Sequence, residues 1–408
     1  NKPQRCIPRL ADRNWHAMVI KNASIMIIGA GIGGLTAALA LQHFGFRVRI
    51  YEQADALSEV GAGLTISPNA NHALNFLGLE AAIADASIIP ASGGVRHYQT
   101  RKMLATNNRS KTPRQLYGAD YLQIHRADLH RILQDAAQLN DPTCIHTGYK
   151  INALSQTDDA VTAGFTNGQQ VSAAAVIGCD GIHSFVREAL FGKEAPRFTG
   201  YIAWRGLVPT ERLSEGILEP DSAICTGPNQ TFTRYAVRRG ELLNYVAIAK
   251  RSGWEVESWS VRSDPAEVLA EFSEWSADVR EMIAATPAEN LHKWALFDRD
   301  PLTTWTNGRI TLLGDAAHAM LPFMGQGAAM AIEDGLVLGR AFAASPSPEE
   351  ALKRYQRARH ERTSFVLLES RENIKRLQRP DTNAYNQNTH KNEEKLGLFG
   401  YNPATVEI

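Results

Sequence analysis

The sequence predicts an α/β protein: a Rossmann-like nucleotide-binding half, a sheet-rich insertion within it, and a C-terminal helical segment. Three observations predict this. The run SIMIIGAG is apolar and ends in glycines, and a helix-length apolar segment and a second strand follow it. From residue 197 to about 291 the chain changes to strands rich in aromatic and β-branched residues. At GRITLLGDAAH an apolar strand again ends in glycine and an acid, as if the first half resumes.

Taken in order, SIMIIGAG reads as a buried parallel strand, LTAALALQHFG as a helix closed by Gly45, and RVRIYEQ as the second strand. Gly29, Gly31 and Gly34 stand in GxGxxG register, and Glu52 follows at the end of the second strand. In such a unit the first glycine permits the tight turn and the second lets a pyrophosphate approach the backbone. The third packs helix on strand, and the acid accepts hydrogen bonds from a ribose. With strand, helix, second strand and acid all in place, the unit is expected to bind a dinucleotide.

Gly61 and Gly63 read as a further small-residue turn, before a helix that starts at Pro68 or Asn69 and runs to Leu77. DYLQIHRADLHRILQDAAQ gives a short strand, then Arg126 and a helix with Leu129, Ile132 and Leu133 on one face. A meander turning at Asn167-Gly168 closes on the strand AAAVIG, which ends in Cys179-Asp180-Gly181 before the helix SFVREAL. Within the insertion, RFTGYIAWRGLV, SAICTGPNQTFTRYAV and ELLNYVAIAK are strands, and DPAEVLAEFSEW and ADVREMIAAT are short helices. Helices continue to about Gln378, and the tail is polar until LGLFGY. The expected division is an N-terminal extension over 1–22, with Met18 as the natural start, and a discontinuous nucleotide-binding domain over 23–90, 118–195 and 292–345. The inserted domain takes 91–117 and 196–291, and C-terminal helices and tail take 346–408.

The 408 residues suffice for more than one core, and 43 Lys and Arg balance 43 Asp and Glu, so no basic surface for nucleic acid is expected. Cys6, Cys144, Cys179 and Cys225 lack CxxC spacing; this argues against a disulfide framework or a metal site and suits a cytoplasmic protein. The uncharged stretch ASIMIIGAGIGGLTAALALQHFGF has the length of a membrane span, but its glycine register assigns it to a buried strand and helix. The residues before it lack the apolar core of a signal peptide.

GDAAHAMLPFMGQGAAMAIED places an acid just past a buried strand and opens a helix with glycines around a glutamine, an arrangement suited to a polar ligand at a strand's carboxyl end. Together with GAGIGG and Glu52, and with Cys179-Asp180-Gly181 and Arg187, it resembles the three fingerprints of the single-component flavoprotein monooxygenases. The resemblance covers nearly the whole chain from about residue 23. HRADLH, AWRGLV, YAVRRGELLNYVA, LFDRDPLTTW and Gly400-Tyr401 are similar to the salicylate hydroxylase and 6-hydroxynicotinate 3-monooxygenase branch.

That resemblance implies an FAD-binding domain of the p-hydroxybenzoate hydroxylase type, FAD as cofactor, and NADH or NADPH as a transient reductant needing no second GxGxxG unit. It implies that Gly29, Gly31, Gly34, Glu52, Gly63, Arg126, Asp180, Gly181, Asp315, Gly325, Gln326 and Gly327 hold the cofactor. Asp315 would hold the ribityl chain, Glu52 the adenosine ribose, Arg126 the pyrophosphate or ribityl region, and Asp180-Gly181 both FAD and the nicotinamide cofactor. Asp180 and Asp315 also stand where helix N-caps stand. The helix opening at Gly325-Gln326-Gly327 would turn its positive end toward the flavin.

The implied reaction is reduction of FAD, addition of O2 to give a flavin C4a-hydroperoxide, and transfer of one oxygen to an electron-rich ring. The protein must then exclude water and remove or hydrogen-bond a phenol proton. The expected substrate is a small hydroxy-aromatic carboxylate, of the salicylate or hydroxynicotinate kind, hydroxylated with or without loss of carboxylate. The alternatives are a larger ring system, such as a quinolone or polyketide, and a non-hydroxylating redox sensor. A pocket is expected between the inserted sheet and the loop Pro322-Phe323-Met324, with Arg205, Tyr235, His318 and Pro322 as catalytic candidates. Alternation puts Tyr235 and Val237 on one strand face and Arg234, Ala236 and Arg238 on the other. The two arginines are therefore expected in solvent, with carboxylate anchoring by Arg234 or Arg238 as the alternative. The WxWxIP sequence of flavin halogenases and the second dinucleotide motif of Baeyer–Villiger enzymes are missing, and the tail carries no hydrophobic anchor. A monomer or homodimer is expected.

Overall fold

The strand Ser24–Ile28 is apolar and buried from Ile25 onward because it is central: Arg47–Tyr51 pairs with it on one side and Ala175–Gly178 on the other, both parallel. The structure, a computed structural model, describes residues 24–57, 61–106, 111–251, 253, 261–385 and 391–408. The expected extension over 1–22 lies outside them. Ile310–Leu312 adds to Ala175–Gly178, and Ile145–His146 to Arg47–Tyr51. An antiparallel edge strand, Thr306–Asn307, completes a six-stranded sheet.

The helix Ile32–His43 is buried along almost its whole length. It lies against the sheet and is covered by Arg126–Asn140 and Gly327–Ala343. The last of these approaches so closely that a β-carbon at Gly335 would stand 2.8 Å from Ala37 N, and one at Gly339 2.7 Å from Ala40 Cβ. The uncharged stretch with the length of a membrane span is therefore the interior of an α/β layer. Among the described residues no helix is long and apolar enough to cross a membrane.

The second large sheet has eight strands. Their order is Val261–Arg262, Leu291–Asp298, Arg197–Pro209, Leu242–Lys250, Gln230–Val237, Ser222–Gly227, Gly93–His97 and Met103–Thr106. Its pairings are antiparallel except that of Ser222–Gly227 with Gly93–His97. It extends past residue 291, since Leu291–Asp298 is one of its inner strands. Period-two alternation gives it two apolar faces. One, with Trp204, Phe232 and Tyr245, packs on Phe272, Trp275 and the helices Pro265–Glu271 and Ala277–Ala284. The other carries Ala203 and Ile248, and receives Leu321 and Phe323 from the third-fingerprint loop.

A small sheet, Gly63–Ile66, Leu122–His125 and Ser87–Ile88, bridges the two halves. The expected glycine turn is corrected here: Gly63 opens a strand. The helix after it starts at Pro68 and ends at Phe76. After the 30-residue helix Pro348–Leu377 the tail folds back on its own chain and buries Leu398 and Phe399, the Phe399 ring against those of Tyr117 and Tyr121.

Candidate active site

The first glycine turn is shaped by what it excludes. Gly29 has φ +103°, and a β-carbon there would stand 2.4 Å from Cys179 O. A β-carbon at Gly34 would stand 2.1 Å from Gly29 O, so helix and strand touch through bare backbone. At Gly31 a β-carbon meets nothing within 4 Å. Gly31 is the N-cap of the Ile32–His43 helix and leaves that helix without a side-chain cap. Its outward amides and open approach fit a diphosphate. Glu52 steadies the turn: Oε2 accepts from Ala30 N at 2.8 Å and Oε1 from Ala54 N at 2.9 Å. Arg126 opens its helix, with its amide donated to Ala62 O at 2.7 Å.

The second and third fingerprints adjoin the first. Gly34 faces Cys179 Cβ, and Gly33 and Gly314 both face Ala331 Cβ. Asp180 accepts from Ser184 Oγ at 2.5 Å and Val186 N at 3.1 Å, so it supports the start of the Phe185–Phe191 helix; burial raises its pKa against those hydrogen bonds. Gly181, at φ +77°, borders open space. Asp315 is exposed directly after a buried strand and the turn at Gly314, φ +64°. Gly325 has φ +63°, and Gln326 N-caps the Gly327–Ala343 helix without a side-chain cap bond. The Gln326 side chain instead turns inward, to Asn69 Nδ2 at 3.1 Å and Ser67 Oγ at 3.1 Å. Bare glycine turns, two uncapped helix starts and an exposed acid form a cradle that fits a flavin dinucleotide. Among the described residues no cluster of His, Cys, Asp and Glu is arranged to hold a metal.

Beneath this cradle lies a buried ionic cluster that holds His318. The imidazole is 3% exposed and donates Nε2–H to Asp334 Oδ2 at 2.6 Å. The same oxygen accepts from Gly314 N at 3.2 Å, and Arg359 Nε donates to Asp334 Oδ1 at 2.7 Å. Arg359 also pairs with Glu333 at 2.5 Å, Arg362 grips Glu333 with two bonds of 2.8 and 2.9 Å, and Asn69 donates to it at 2.6 Å. Burial alone would raise both carboxyls. Arg359 and Arg362 outweigh it at Glu333, and His318 and Arg359 at Asp334, so both pKa values fall below the ordinary range. His318, expected as a catalytic candidate, is held by Asp334 behind the Gly314 turn. Pro322 is exposed, while its neighbours Leu321 and Phe323 pack on the sheet.

The sheet face beneath that loop carries Tyr235 and Arg205. Tyr235 is buried; burial first and Tyr121 second push its pKa up, and Arg205 partly opposes them. Arg205 is buried beside the Trp294 ring, 5.6 Å from its centroid, with Val246 and His292 as its cross-strand neighbours. Gly63 lies flat against this face: its amide donates to Asn244 Oδ1 at 2.7 Å, and a β-carbon would stand 2.6 Å from Tyr235 Cε2. In this structure, therefore, Gly63 packs against the inserted sheet.

The solvent expectation is corrected for Arg234 and holds for Arg238, which is exposed. Arg234 is fully buried and donates to the carbonyls of Leu218, Glu219 and Pro220. Arg238 sits in the hairpin turn and makes two bonds to Asp128, of 3.0 and 3.1 Å. Both guanidiniums are engaged by the protein, so neither is poised to anchor a carboxylate. Sequence reasoning missed His125. It is buried, faces Gly63 across the small sheet, and has Nδ1 3.4 Å from Arg238 Nη2. Burial, Arg238 and Arg205 lower its pKa against Asp128, so the ring stays neutral with its lone pair on Nδ1. The one available signal was its place at a strand end, just before Arg126. Asn244, polar inside LLNYVAIAK, was a second.

Residues 22–370 match the family model described as FAD binding domain. The chain is 39% identical over 358 residues to a 3-amino-4-hydroxybenzoate 2-monooxygenase of Streptomyces platensis, covering 88% of this chain and 89% of that one. It is 36% identical over 388 residues to 6-hydroxynicotinate 3-monooxygenase of Pseudomonas fluorescens, covering 94% and 96%. Klebsiella pneumoniae HpxO complexed with FAD and uric acid shares the fold at TM-score 0.83 and 24% identity, over 94% of this chain and 98% of that one. A salicylate hydroxylase substrate complex superposes at TM-score 0.75 and 25% identity, over 93% of each chain.

Proposed function

Since the chain belongs to the FAD binding domain family, within its single-component aromatic hydroxylases, we propose that it hydroxylates a small hydroxy-aromatic carboxylate with NADH or NADPH and O2. The cytoplasm is the compartment proposed for it, and a monomer or homodimer the working state. FAD, when bound, supplies the reducible ring that activates oxygen for transfer to the substrate. The chain's residues do the rest. Gly31 and the start of the Ile32–His43 helix receive the diphosphate, Asp315 the ribityl hydroxyls, Glu52 the ribose and Arg126 the diphosphate or ribityl region. Asp180-Gly181 borders the path of the nicotinamide cofactor.

The observation that carries the reading is that Tyr235 and Arg205 are both buried on the sheet face that meets the third-fingerprint loop. Tyr235 is kept un-ionised by burial, so it donates its proton to a ring oxygen rather than repelling one. Arg205 supplies a fixed positive charge in a desolvated setting, which favours an anionic ring over a neutral one. Leu321 and Phe323 close the site against water.

The test is NADH and NADPH oxidation by the FAD-loaded protein with salicylate, 3- and 4-hydroxybenzoate, 3-amino-4-hydroxybenzoate and 6-hydroxynicotinate, with H2O2 and product followed together. A compound that accelerates oxidation and gives hydroxylated product with little peroxide supports the proposal. If no carboxylate in the panel accelerates oxidation, the substrate class is wrong and larger neutral rings replace it.

A further inference from the structure

We propose that the C-terminal tail is a working part of the flavin site: Tyr401 fixes Arg362 and Arg359 so that Glu333 and Asn69 hold the glycine turn at Gln326. The inference rests on the reading that the Gly325-Gln326-Gly327 turn faces FAD.

The chain of contacts is continuous. The Tyr401 ring centroid lies 3.9 Å from Arg362 Cζ and 5.2 Å from Arg359 Cζ, so one aromatic ring serves two cations. Leu398 O accepts from Arg362 Nη2 at 3.2 Å, from the same tail. Arg362 is thereby aimed at Glu333, which it holds by two bonds. Glu333 is fully buried and accepts from Asn69, whose amide also reaches Gln326 Oε1 at 3.1 Å. Without Tyr401, Arg362 is drawn to water, and Glu333 keeps a single guanidinium in a site where a carboxylate needs strong compensation. The segment to shift is then the start of the Gly327 helix, whose Gln326 is held by Asn69 and Ser67.

A second contact ties the tail to the substrate side. Phe399 is buried, with its ring 5.9 Å from that of Tyr121, and Tyr121 is close enough to Tyr235 to help raise its pKa. The tail is itself fastened beyond Tyr401: Arg340 donates to Pro403 O at 2.7 Å and to Val406 O at 2.9 Å. The Tyr401 hydroxyl is buried with no hydrogen-bond partner. The ring, rather than the hydroxyl, therefore does the holding.

The experiment compares Tyr401→Leu with Tyr401→Phe in the full-length holoenzyme, reading FAD retention by dialysis and the flavin absorption bands. Tyr401→Leu should weaken FAD retention about tenfold and shift the flavin bands, as expected for the loss of two partly desolvated cation–ring contacts. Tyr401→Phe should match the parent in both. If Tyr401→Leu only melts earlier, with FAD retention and spectrum unchanged, the tail is merely structural and the proposal falls. Should Tyr401→Leu fail to fold, Asn69→Ala breaks the same relay without touching the arginines; an unchanged spectrum and affinity there is equally fatal. Gly327→Val separates the premise from the inference. A Gly327→Val protein that binds FAD normally removes the turn from the flavin site. One that loses FAD while Tyr401→Leu keeps it sinks the tail's role alone.

Discussion

Alanine at Gly31 and alanine at Gly34 separate two functions of one turn. Gly31 has φ −71° and ψ −179°, extended backbone that alanine adopts without strain, and its added methyl meets no protein atom within 4 Å. The folded apoprotein should lose at most about 1 kcal/mol, for a less suitable N-cap, and about 2–4 °C in Tm. Bound FAD meets the same methyl where its diphosphate approaches the backbone. Losing one charge-assisted amide–phosphate bond is worth about 1.5–3 kcal/mol, so FAD affinity should fall roughly 10- to 100-fold. At Gly34 the methyl would sit 2.1 Å from Gly29 O, a backbone atom that cannot turn aside. The helix must move off the strand, at about 1–3 kcal/mol of overpacking, of which better helix propensity returns at most about 1. Thermal unfolding of both apoproteins and FAD titration by flavin fluorescence read the two effects. The expected pattern is a stable Gly31→Ala protein that binds FAD poorly, and a destabilised Gly34→Ala protein that also binds it poorly. A Gly31→Ala protein that binds FAD within twofold of the parent would refute the placement of the diphosphate.

Three further outcomes are expected. Asp315→Ala should purify with depleted FAD and little change in apoprotein Tm, since that carboxylate is exposed; a full flavin complement would remove it from the ribityl site. Tyr235→Phe should keep FAD yet lower product formation about 10- to 100-fold and divert reducing equivalents to H2O2, as loss of a hydrogen bond to the reacting ring predicts; unchanged coupling would place the substrate elsewhere. The acid limit of stability should follow Glu333 and Asp334. Their folded pKa values are depressed, so their contribution is complete above the ordinary carboxylate value of about 4 and drains away as pH falls through the lower folded values. Arg359→Met leaves them under-compensated, costs about 3–5 kcal/mol, and should move the acid midpoint upward in a circular-dichroism titration; an unmoved midpoint would mean the cluster does not govern acid unfolding.

The local signals were readable because short-range physics writes them. The GxGxxG spacing, the strand-to-helix switches and the parity of Arg234 against Tyr235 each depend on neighbours a few residues away. What escaped the sequence depends on distant partners. Arg234 looked solvated because its partners are three main-chain carbonyls, and no residue type marks a carbonyl as an ion's partner. Gly63 looked like a turn because the side chains that demand a glycine there, Tyr235 and Asn244, come from another segment of chain. His318 sits inside the third fingerprint, yet Asp334, which holds it, is itself paired with Arg359 from a later helix.

One pairing in the second sheet bears on how the chain reaches this state. Gly93–His97 joins Ser222–Gly227 in parallel, and Ala175–Gly178 waits for Ile310–Leu312. During synthesis the hairpin that ends at Thr106 emerges long before the strand it must dock against, and the first sheet stays open on one side until the last quarter of the chain appears. Such late, non-local closures slow folding and leave strand edges exposed while it proceeds. Neither half can therefore be excised as a contiguous, self-folding fragment: a cut anywhere between residues 107 and 310 divides at least one of the two sheets.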